Sequence, residues 1–175
     1  MKGSPVLRGL GLAAALAVFI ADQASKAWIV DGLRLPERIS VAVLPFLNFT
    51  WVENRGITFG MFGGFGALGP ILLTVVALAV VAALGVWLWR AERALPAAAL
   101  GAIAGGAVGN VLDRLRLGYV VDFLHAHAAG YSWYVFNLAD AAIVCGVAAL
   151  VLDGMRSRPE GDKRNERLAD PPGGR

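Results

Sequence analysis

Four long apolar runs dominate this sequence of 175 residues and limit the folds that it can adopt. They cover about 9–30, 68–89, 95–112 and 136–152. A helix of about 20 apolar residues crosses the roughly 30 Å hydrocarbon core of a bilayer. Only 17% of the residues are charged, whereas soluble domains have about 25%. We therefore predict an all-α integral membrane protein, built as a four-transmembrane-helix bundle.

The charges that flank the runs predict their orientation. Lys2 and Arg8 precede the first run, Arg90 and Arg93 separate the second from the third, and six basic residues follow the fourth. Basic residues in short flanks mark the cytoplasmic side of a membrane. Both termini should then be cytoplasmic, with 31–67 and 113–135 facing outward. The first run could instead be a secretory signal peptide, but three further spans and a polar cluster at its end favour a retained helix.

The segments outside the runs predict a small extracytoplasmic subdomain. Leu47, Phe49 and Trp51 alternate with polar or smaller residues, a period-two pattern that predicts a strand in a short sheet on the outer membrane surface. Glycines at 63, 64 and 66 suggest a flexible approach to the second span. Residues 1–153 should form one membrane domain, and the charged tail at 154–175 should be a disordered cytoplasmic end.

With this topology, polar residues from distant parts of the chain reach one membrane face. Asp22 and Lys26, at i and i+4 near the end of the first span, can pair on a helix. An alternative is a Ser–Lys hydrolase that uses Ser25, but adjacent helical residues point about 100° apart. The remaining residues of this group are Asn110, Asp113, Arg114, Asp122, Asn137 and Asp140.

The third run and the outer segment each contain one residue group with two interpretations. Asn110, Asp113 and Arg114 share one helical face, where Arg114 is either an interface anchor or a bidentate donor that holds a substrate or a catalytic carboxylate. Asn54 and Gly56 suit a turn, although an amide there could also bind a peptide backbone. Glycines at 101, 105 and 109 form a small-residue stripe, which is typical of close helix packing.

Asp122 and Asp140 are the candidate acid–base pair. Two close carboxylates cannot both be charged cheaply, so one keeps a proton while the other stays ionised. Such a pair supplies a general base for water and a general acid for a leaving group. Asn137, one turn before Asp140, is placed to orient it.

Other residue types point away from metals, disulfides and nucleic acid. The net charge of +3 comes without clustered basic residues and interleaved aromatics, so no nucleic-acid surface is predicted. Cys145 is the single cysteine and is expected to be an inert, buried thiol. His125 and His127 lack a third aligned ligand, so we predict a solvated loop, no metal site and no cofactor.

At these motifs the chain resembles lipoprotein signal peptidase, the bacterial type II signal peptidase. The resemblance runs from the first span through the fourth. It rests on five ordered motifs: 22–26 (DQASK), Asn54-Arg55-Gly56 with Phe59, 105–114 (GGAVGNVLDR), 121–123 (VDF) and 136–140 (FNLAD). Thr58 departs mildly from this pattern, because the family often has alanine or serine there.

The resemblance implies an aspartic endopeptidase of the bacterial inner membrane, with its active site at the outer face. Its substrates would be prolipoproteins, cut before a cysteine that already carries diacylglycerol, and membrane lipid and the signal peptide would be its partners. It implies Asp122 and Asp140 as the catalytic pair and sensitivity to the cyclic peptide globomycin. We also expect the protein to function as a monomer. Supporting or substrate-contacting roles fall to Asp22, Lys26, Asn54, Gly56, Asn110, Arg114 and Asn137.

The rival hypothesis is a small transporter or proton-conducting protein. Such a protein would carry ionisable residues at several depths or an inverted repeat with broken helices. Here the charges within the runs gather at one face, and no repeat is seen, so the peptidase is favoured.

Overall fold

The computed structural model of the protein describes residues 3–56 and 68–156. Within these ranges it contains four helices that are long and apolar enough to cross a membrane, and a small antiparallel sheet. This agrees with the predicted combination of apolar helices and a small sheet. Thr58, Phe59, the glycine-rich approach and the tail from residue 157 onward lie outside the described residues.

The first helix, α1, covers Pro5–Ala27 and continues into a π-helical turn, Trp28–Gly32. Ser4 caps its start by accepting a hydrogen bond from Val6 N at 3.3 Å, and Pro5 fits the first helical position because its missing N–H would have no helical partner there. These two residues explain why the helix begins earlier than the predicted residue 9.

The other long helices are α3 (Leu68–Leu88), α4 (Ala94–Leu117) and α5 (Leu138–Arg156). The predicted end of the third span at residue 112 was too early. The helix α4 runs on to Gly118, which has a left-handed φ of 80° and donates its N–H to Arg114 O at 3.0 Å, a common helix-ending geometry. The helix α5 reaches Arg156, so the first residues of the predicted disordered tail are helical.

The helix α4 is central, because α1, α3 and α5 all pack against it. Its glycine stripe faces α1: a Cβ added at Gly101 would overlap the carbonyl oxygen of Gly11, and one at Gly105 would overlap that of Ala15. The absence of side chains thus lets the two backbones touch. The predicted packing role of the stripe is confirmed.

The sheet is antiparallel, with the strand order β1-β2-β3-β4. After a short helix, α2 (Leu35–Arg38), its strands are β1 (Ser40–Leu44), β2 (Leu47–Asn54), β3 (Val120–Ala128) and β4 (Tyr131–Ser132). The predicted strand is confirmed as β2. The solvated loop predicted around His125 and His127 was wrong, because both residues lie on β3, which pairs with β2.

A small core joins the sheet to the helices. Ile29 of the π-helical turn and Leu35 of α2 pack with Val121 and Phe123 of β3. The chain just before α5 then bonds to the same strand: Leu124 N donates to Phe136 O at 2.7 Å, and Phe136 N donates to Leu124 O at 3.0 Å. These contacts place the start of α5 beside the middle of β3.

Candidate functional site

Polar side chains from five parts of the chain meet where the sheet lies against the helices. We call this region the sheet end; it contains the last turns of α1 and α4, the first turn of α5, and the facing parts of β2 and β3. All nine residues predicted for the site lie here and are linked in one hydrogen-bonded group. They are Asp22, Lys26, Asn54, Gly56, Asn110, Asp122, Asn137 and Asp140, with Arg114 at its edge.

Lys26 is buried, and its ammonium nitrogen has three oxygen partners. Asp22 Oδ2 and Asp113 Oδ2 each lie 2.8 Å from Nζ, and Asn110 Oδ1 accepts from Nζ at 3.1 Å. An ammonium group has three N–H donors, so every donor is matched. The predicted i, i+4 pair of Asp22 and Lys26 is confirmed. Lys26 forms a second ion pair with Asp113, and this second pair joins α1 to α4.

Two members of this cluster, Asp113 and Gln23, were not predicted as site residues. Besides its ion pair, Asp113 accepts a hydrogen bond from Val121 N at 3.1 Å, next to Asp122 on β3. The Gln23 amide donates to Asp113 Oδ1 at 3.0 Å and to Asp22 Oδ2 at 3.1 Å. Asp113 was detectable from its helical spacing to Asn110, but nothing in the sequence around Gln23 signals this contact.

Asn137 and Asp140 begin α5 as a reciprocal cap. Asp140 N donates to Asn137 Oδ1 at 2.9 Å, and Asn137 N donates to Asp140 Oδ2 at 3.3 Å. This is the capping-box arrangement, in which the residue before a helix and the third helical residue satisfy each other's amides. A third free amide of this turn, Ala139 N, donates to Asp22 Oδ1 at 3.0 Å. These hydrogen bonds therefore fix the side chains of Asn137 and Asp140 without a bound substrate.

The same Asn137 side chain reaches the other aspartate. Its Nδ2 donates to Asp122 Oδ1 at 2.7 Å and to Asn110 Oδ1 at 3.1 Å. Asn110 in turn donates through Nδ2 to Asp140 Oδ1 at 2.8 Å. Asp122 and Asp140 are thus connected through two amide side chains, of which Asn137 bonds to both aspartate residues directly.

Asp122 is buried on β3 and has a perturbed acidity. The pKa of its carboxyl group is raised to about 6, mainly by burial and also by the nearby charge of Asp140, against the lowering effect of the hydrogen bonds from Asn54 and Asn137. Asn54 Nδ2 donates to Asp122 Oδ2 at 2.9 Å. A carboxyl group of this kind exchanges protons close to neutral pH.

Asn54 is itself held by the turn that follows β2. Gly56 N donates to Asn54 Oδ1 at 2.8 Å, and Gly56 has a positive φ of 75°, which glycine adopts without strain. The predicted turn is confirmed. It leaves the Asn54 amide free to donate to Asp122, so the turn and the contact with the site are compatible.

Arg114 lies beside the site, and none of the described residues forms an ion pair with it. Its Nη1 donates to Asn110 O, in its own helix, at 3.3 Å, and Nε is buried without a partner among the described residues. The bidentate contact of Arg114 with a substrate or a catalytic carboxylate stays a prediction.

The remaining candidates are outside this network. Ser25 Oγ donates to Asp22 O in its own helical turn at 2.7 Å, away from a nucleophile's role. His125 contacts Thr50 and Ser132 across the sheet, at 3.2 and 2.5 Å. The described part of the chain holds no group of three or more side chains suited to a metal. Cys145 is exposed on α5, so the predicted burial of its thiol was wrong.

Comparison with known proteins gives consistent matches. Residues 14–156 match a family model described as signal peptidase (SPase) II. A lipoprotein signal peptidase of Methylorubrum extorquens is 50% identical over 149 residues, covering 85% of this chain and 87% of that protein. One of Beijerinckia indica is 44% identical over 154 residues, covering 88% and 92%. A solved bacterial membrane enzyme aligns with a TM-score of 0.74 and 27% identity, covering 90% of this chain and 97% of the other.

Proposed function

The chain belongs to the signal peptidase II family, and we propose that it removes signal peptides from lipid-modified prolipoproteins, with Asp122 and Asp140 as its catalytic pair. The observation that carries the catalytic assignment is the Asn137 side chain, which bonds to Asp122 Oδ1 at 2.7 Å and accepts from Asp140 N at 2.9 Å. One side-chain amide thereby bonds to the Asp122 carboxylate on a strand and to the backbone N–H of Asp140 on a helix.

The pair would hydrolyse the peptide bond by general acid–base catalysis. The ionised carboxylate takes a proton from water as the water oxygen bonds to the scissile carbonyl carbon. The protonated carboxyl then gives its proton to the leaving nitrogen as the carbon–nitrogen bond breaks. Because burial raises the pKa of Asp122 to about 6, this residue retains a proton more readily than an exposed aspartate does.

The surrounding residues would position the pair and the substrate. Asn54 and Asn137 direct the two oxygens of Asp122, and Asn110 directs Asp140. Lys26 is held by Asp22 and fixes Asn110 in turn. Arg114 has donor groups that no carboxylate of the described residues occupies in an ion pair, and we assign it to the developing charge or the backbone of a bound substrate.

We further propose a bundle of four spans in the bacterial inner membrane, with both termini cytoplasmic and the sheet end outward. Gly3 N donates to Trp89 O at 3.0 Å, and Arg93 pairs with Asp153, which supports one common end for the chain start, the α3–α4 turn and the end of α5. The lipid of a prolipoprotein would then meet the site at the membrane surface. The enzyme would act as a monomer.

The transporter hypothesis is less well supported. Among the described residues, the buried charged side chains are Asp22, Lys26, Asp113 and Asp122, and all four lie at the sheet end. A proton relay needs ionisable groups through the depth of the membrane. Proton flux in liposomes without proteolysis would favour this rival.

The proposal is tested with purified protein and a diacylglyceryl-modified prolipoprotein. Asp122→Asn and Asp140→Asn preserve shape but remove the ionisable groups, so each should lower kcat by at least about 10²-fold, the usual share of general acid–base catalysis. Asp31→Asn, at an exposed carboxylate beyond α1, is the matched control and should cleave normally. Cleavage by either site variant at the control's rate would disprove the pair.

A further inference from the structure

An apolar groove lies around β4 and the last residues of β3, on the part of the sheet that is remote from the proposed catalytic site. Its volume is about 780 Å³, and its lining includes Phe46, Tyr131, Trp133 and Tyr134 but no Asp, Glu, Lys or Arg. We call these four aromatic residues the aromatic tip. It is separate from the candidate catalytic pair, because the groove begins at Ala126, four residues along β3 from Asp122, and a strand rises about 3.3 Å per residue.

The aromatic tip is unusually exposed for its composition. Tyr131 is 84% exposed, Trp133 72% and Phe46 57%. Contiguous exposed apolar side chains of this size mark a surface that binds a protein or a membrane. Tyrosine and tryptophan favour the second kind of partner, because their rings have an apolar body and a polar edge that suit the boundary between lipid and water.

The other exposed tryptophans of the chain support a lipid partner. Trp28 directly follows α1, and Trp87 and Trp89 lie at the end of α3; each is about half exposed. Tryptophans at the ends of apolar helices form the aromatic belts of membrane proteins. Trp133 lies five residues before α5, and its backbone N–H donates to Ala126 O on β3 at 2.8 Å. The tip therefore belongs to the same boundary as the beginning of a span.

We propose that the aromatic tip is an anchor that inserts into the headgroup region of the bilayer beside the sheet end. Its partner is bulk phospholipid, since the groove has no Asp, Glu, Lys or Arg in its lining to select a headgroup, and His127 and Ser132 are its polar side chains. The anchor would fix the height of β3 above the hydrocarbon. Because β3 carries Asp122, it would also set the depth at which that carboxyl meets a bond, a consequence that rests on the proposed function.

Membrane contact is tested without any cleavage. Three proteins each keep one tryptophan, at 28, 51 or 133, with the others replaced by phenylalanine, and each is placed in phosphatidylcholine vesicles with or without bromine on shallow acyl carbons. We expect fluorescence of Trp133 to be quenched as strongly as that of Trp28. Trp51 is the matched control within the sheet, because its ring packs edge-on against the ring of Tyr119, with 6.4 Å between the ring centroids. The fluorescence of Trp51 should be quenched less.

Three outcomes would overturn the anchor. Quenching of Trp133 that is no stronger than that of Trp51 would place the tip in water. Quenching that appears only after a lipidated prolipoprotein is added would assign the groove to the substrate's own acyl chains. Bromolipid quenching of Trp133 could also increase when the ratio of protein to lipid is lowered. That result would indicate that a second copy of the chain covers the tip at the higher ratio.

A separate measurement tests the consequence for catalysis. The double variant Tyr131→Ala, Trp133→Ala should raise KM several-fold for prolipoprotein in vesicles, leave kcat unchanged, and behave as wild type in detergent micelles. Trp133→Phe should restore most of the vesicle KM, because it keeps an apolar ring. An equal loss in vesicles and micelles would indicate a structural defect and overturn this role. If neither protein cleaves, the proposed function fails, but the quenching result still stands.

Discussion

Replacing Lys26 by methionine isolates the contribution of a buried charge to the stability of this protein. Methionine keeps an unbranched apolar side chain but removes the ammonium group from between Asp22 and Asp113, each of which lies 2.8 Å from Nζ. Lys26 and both aspartates are almost fully buried. The variant would therefore leave two carboxylates facing each other without a cation.

The size of the effect follows from this burial. Removing one partner of a buried ion pair costs about 3–5 kcal/mol, because the remaining charge has lost both water and its counterion. Lys26 takes part in two pairs, so we expect at least this loss in the free energy of unfolding. For a chain of 150–250 residues, about 2–4 °C of Tm corresponds to each kcal/mol. The Tm of Lys26→Met should thus fall by about 6–20 °C.

The chain offers a matched control with the same geometry at the surface. Arg55 Nη2 lies 2.8 Å from Glu53 Oε2, but these side chains are 62% and 39% exposed. Exposed pairs contribute about 0–1 kcal/mol, so Arg55→Met should lower Tm by no more than about 4 °C. The two variants differ in burial and not in the length of the ion pair.

Thermal unfolding in one detergent, followed by intrinsic fluorescence, measures both variants. Adding Asp113→Asn to Lys26→Met should recover part of the lost stability, because it removes one of the two unpaired charges. A Lys26→Met protein that unfolds at the same temperature as Arg55→Met would refute the reasoning. It would mean that the carboxylates are not charged in the folded protein once the lysine is gone, or that water reaches them.

Two further predictions concern pH and helix packing. Burial raises the pKa of Asp122 to about 6, above the unfolded value of about 4, so its proton stabilises the fold below about pH 4 and this stability, about 3 kcal/mol, is lost as the pH rises through 6. Unfolding scans from pH 4 to 8 should show this slope, and Asp122→Asn should flatten it; an unchanged slope would contradict it. Gly101→Ala should cost about 1–3 kcal/mol, because its Cβ overlaps the Gly11 carbonyl. Gly85→Ala, with no atom within 4 Å of the new Cβ, should cost nothing, and equal Tm values for the two would refute the close approach.

The helices were predictable because hydropathy is a local property. Each apolar run is long enough to identify by itself, and the boundaries failed only where side chains changed the balance. Ser4 extends α1 by capping it, and α4 continues past the charged Asp113 because Lys26 neutralises that carboxylate. A hydropathy average over neighbouring residues ends the predicted helix at Asp113. The partner that allows this carboxylate to be buried, Lys26, lies on another helix and does not enter that average.

The sequence predicted which polar residues meet at the sheet end, but it did not predict the hydrogen bonds that connect them. Motif and topology brought Asp122, Asn137 and Asp140 to one end, and the spacing of Asn137 and Asp140 is that of a capping box. The contact from Asn137 to Asp122 at 2.7 Å depends on how β3 lies against α5. Gln23 was missed for the same reason, because its partner Asp113 is on another helix.

The sequence by itself determined the four apolar helices, the Asp22–Lys26 pair, the strand β2 and the residues that can perform acid–base chemistry, because each depends on neighbours within a few positions. Tertiary structure alone decided that 120–128 is a strand, since its pairing partner is β2. It also decided that the Asn137 amide joins the two aspartates. Burial in that arrangement, which no local pattern encodes, is what raises the pKa of Asp122.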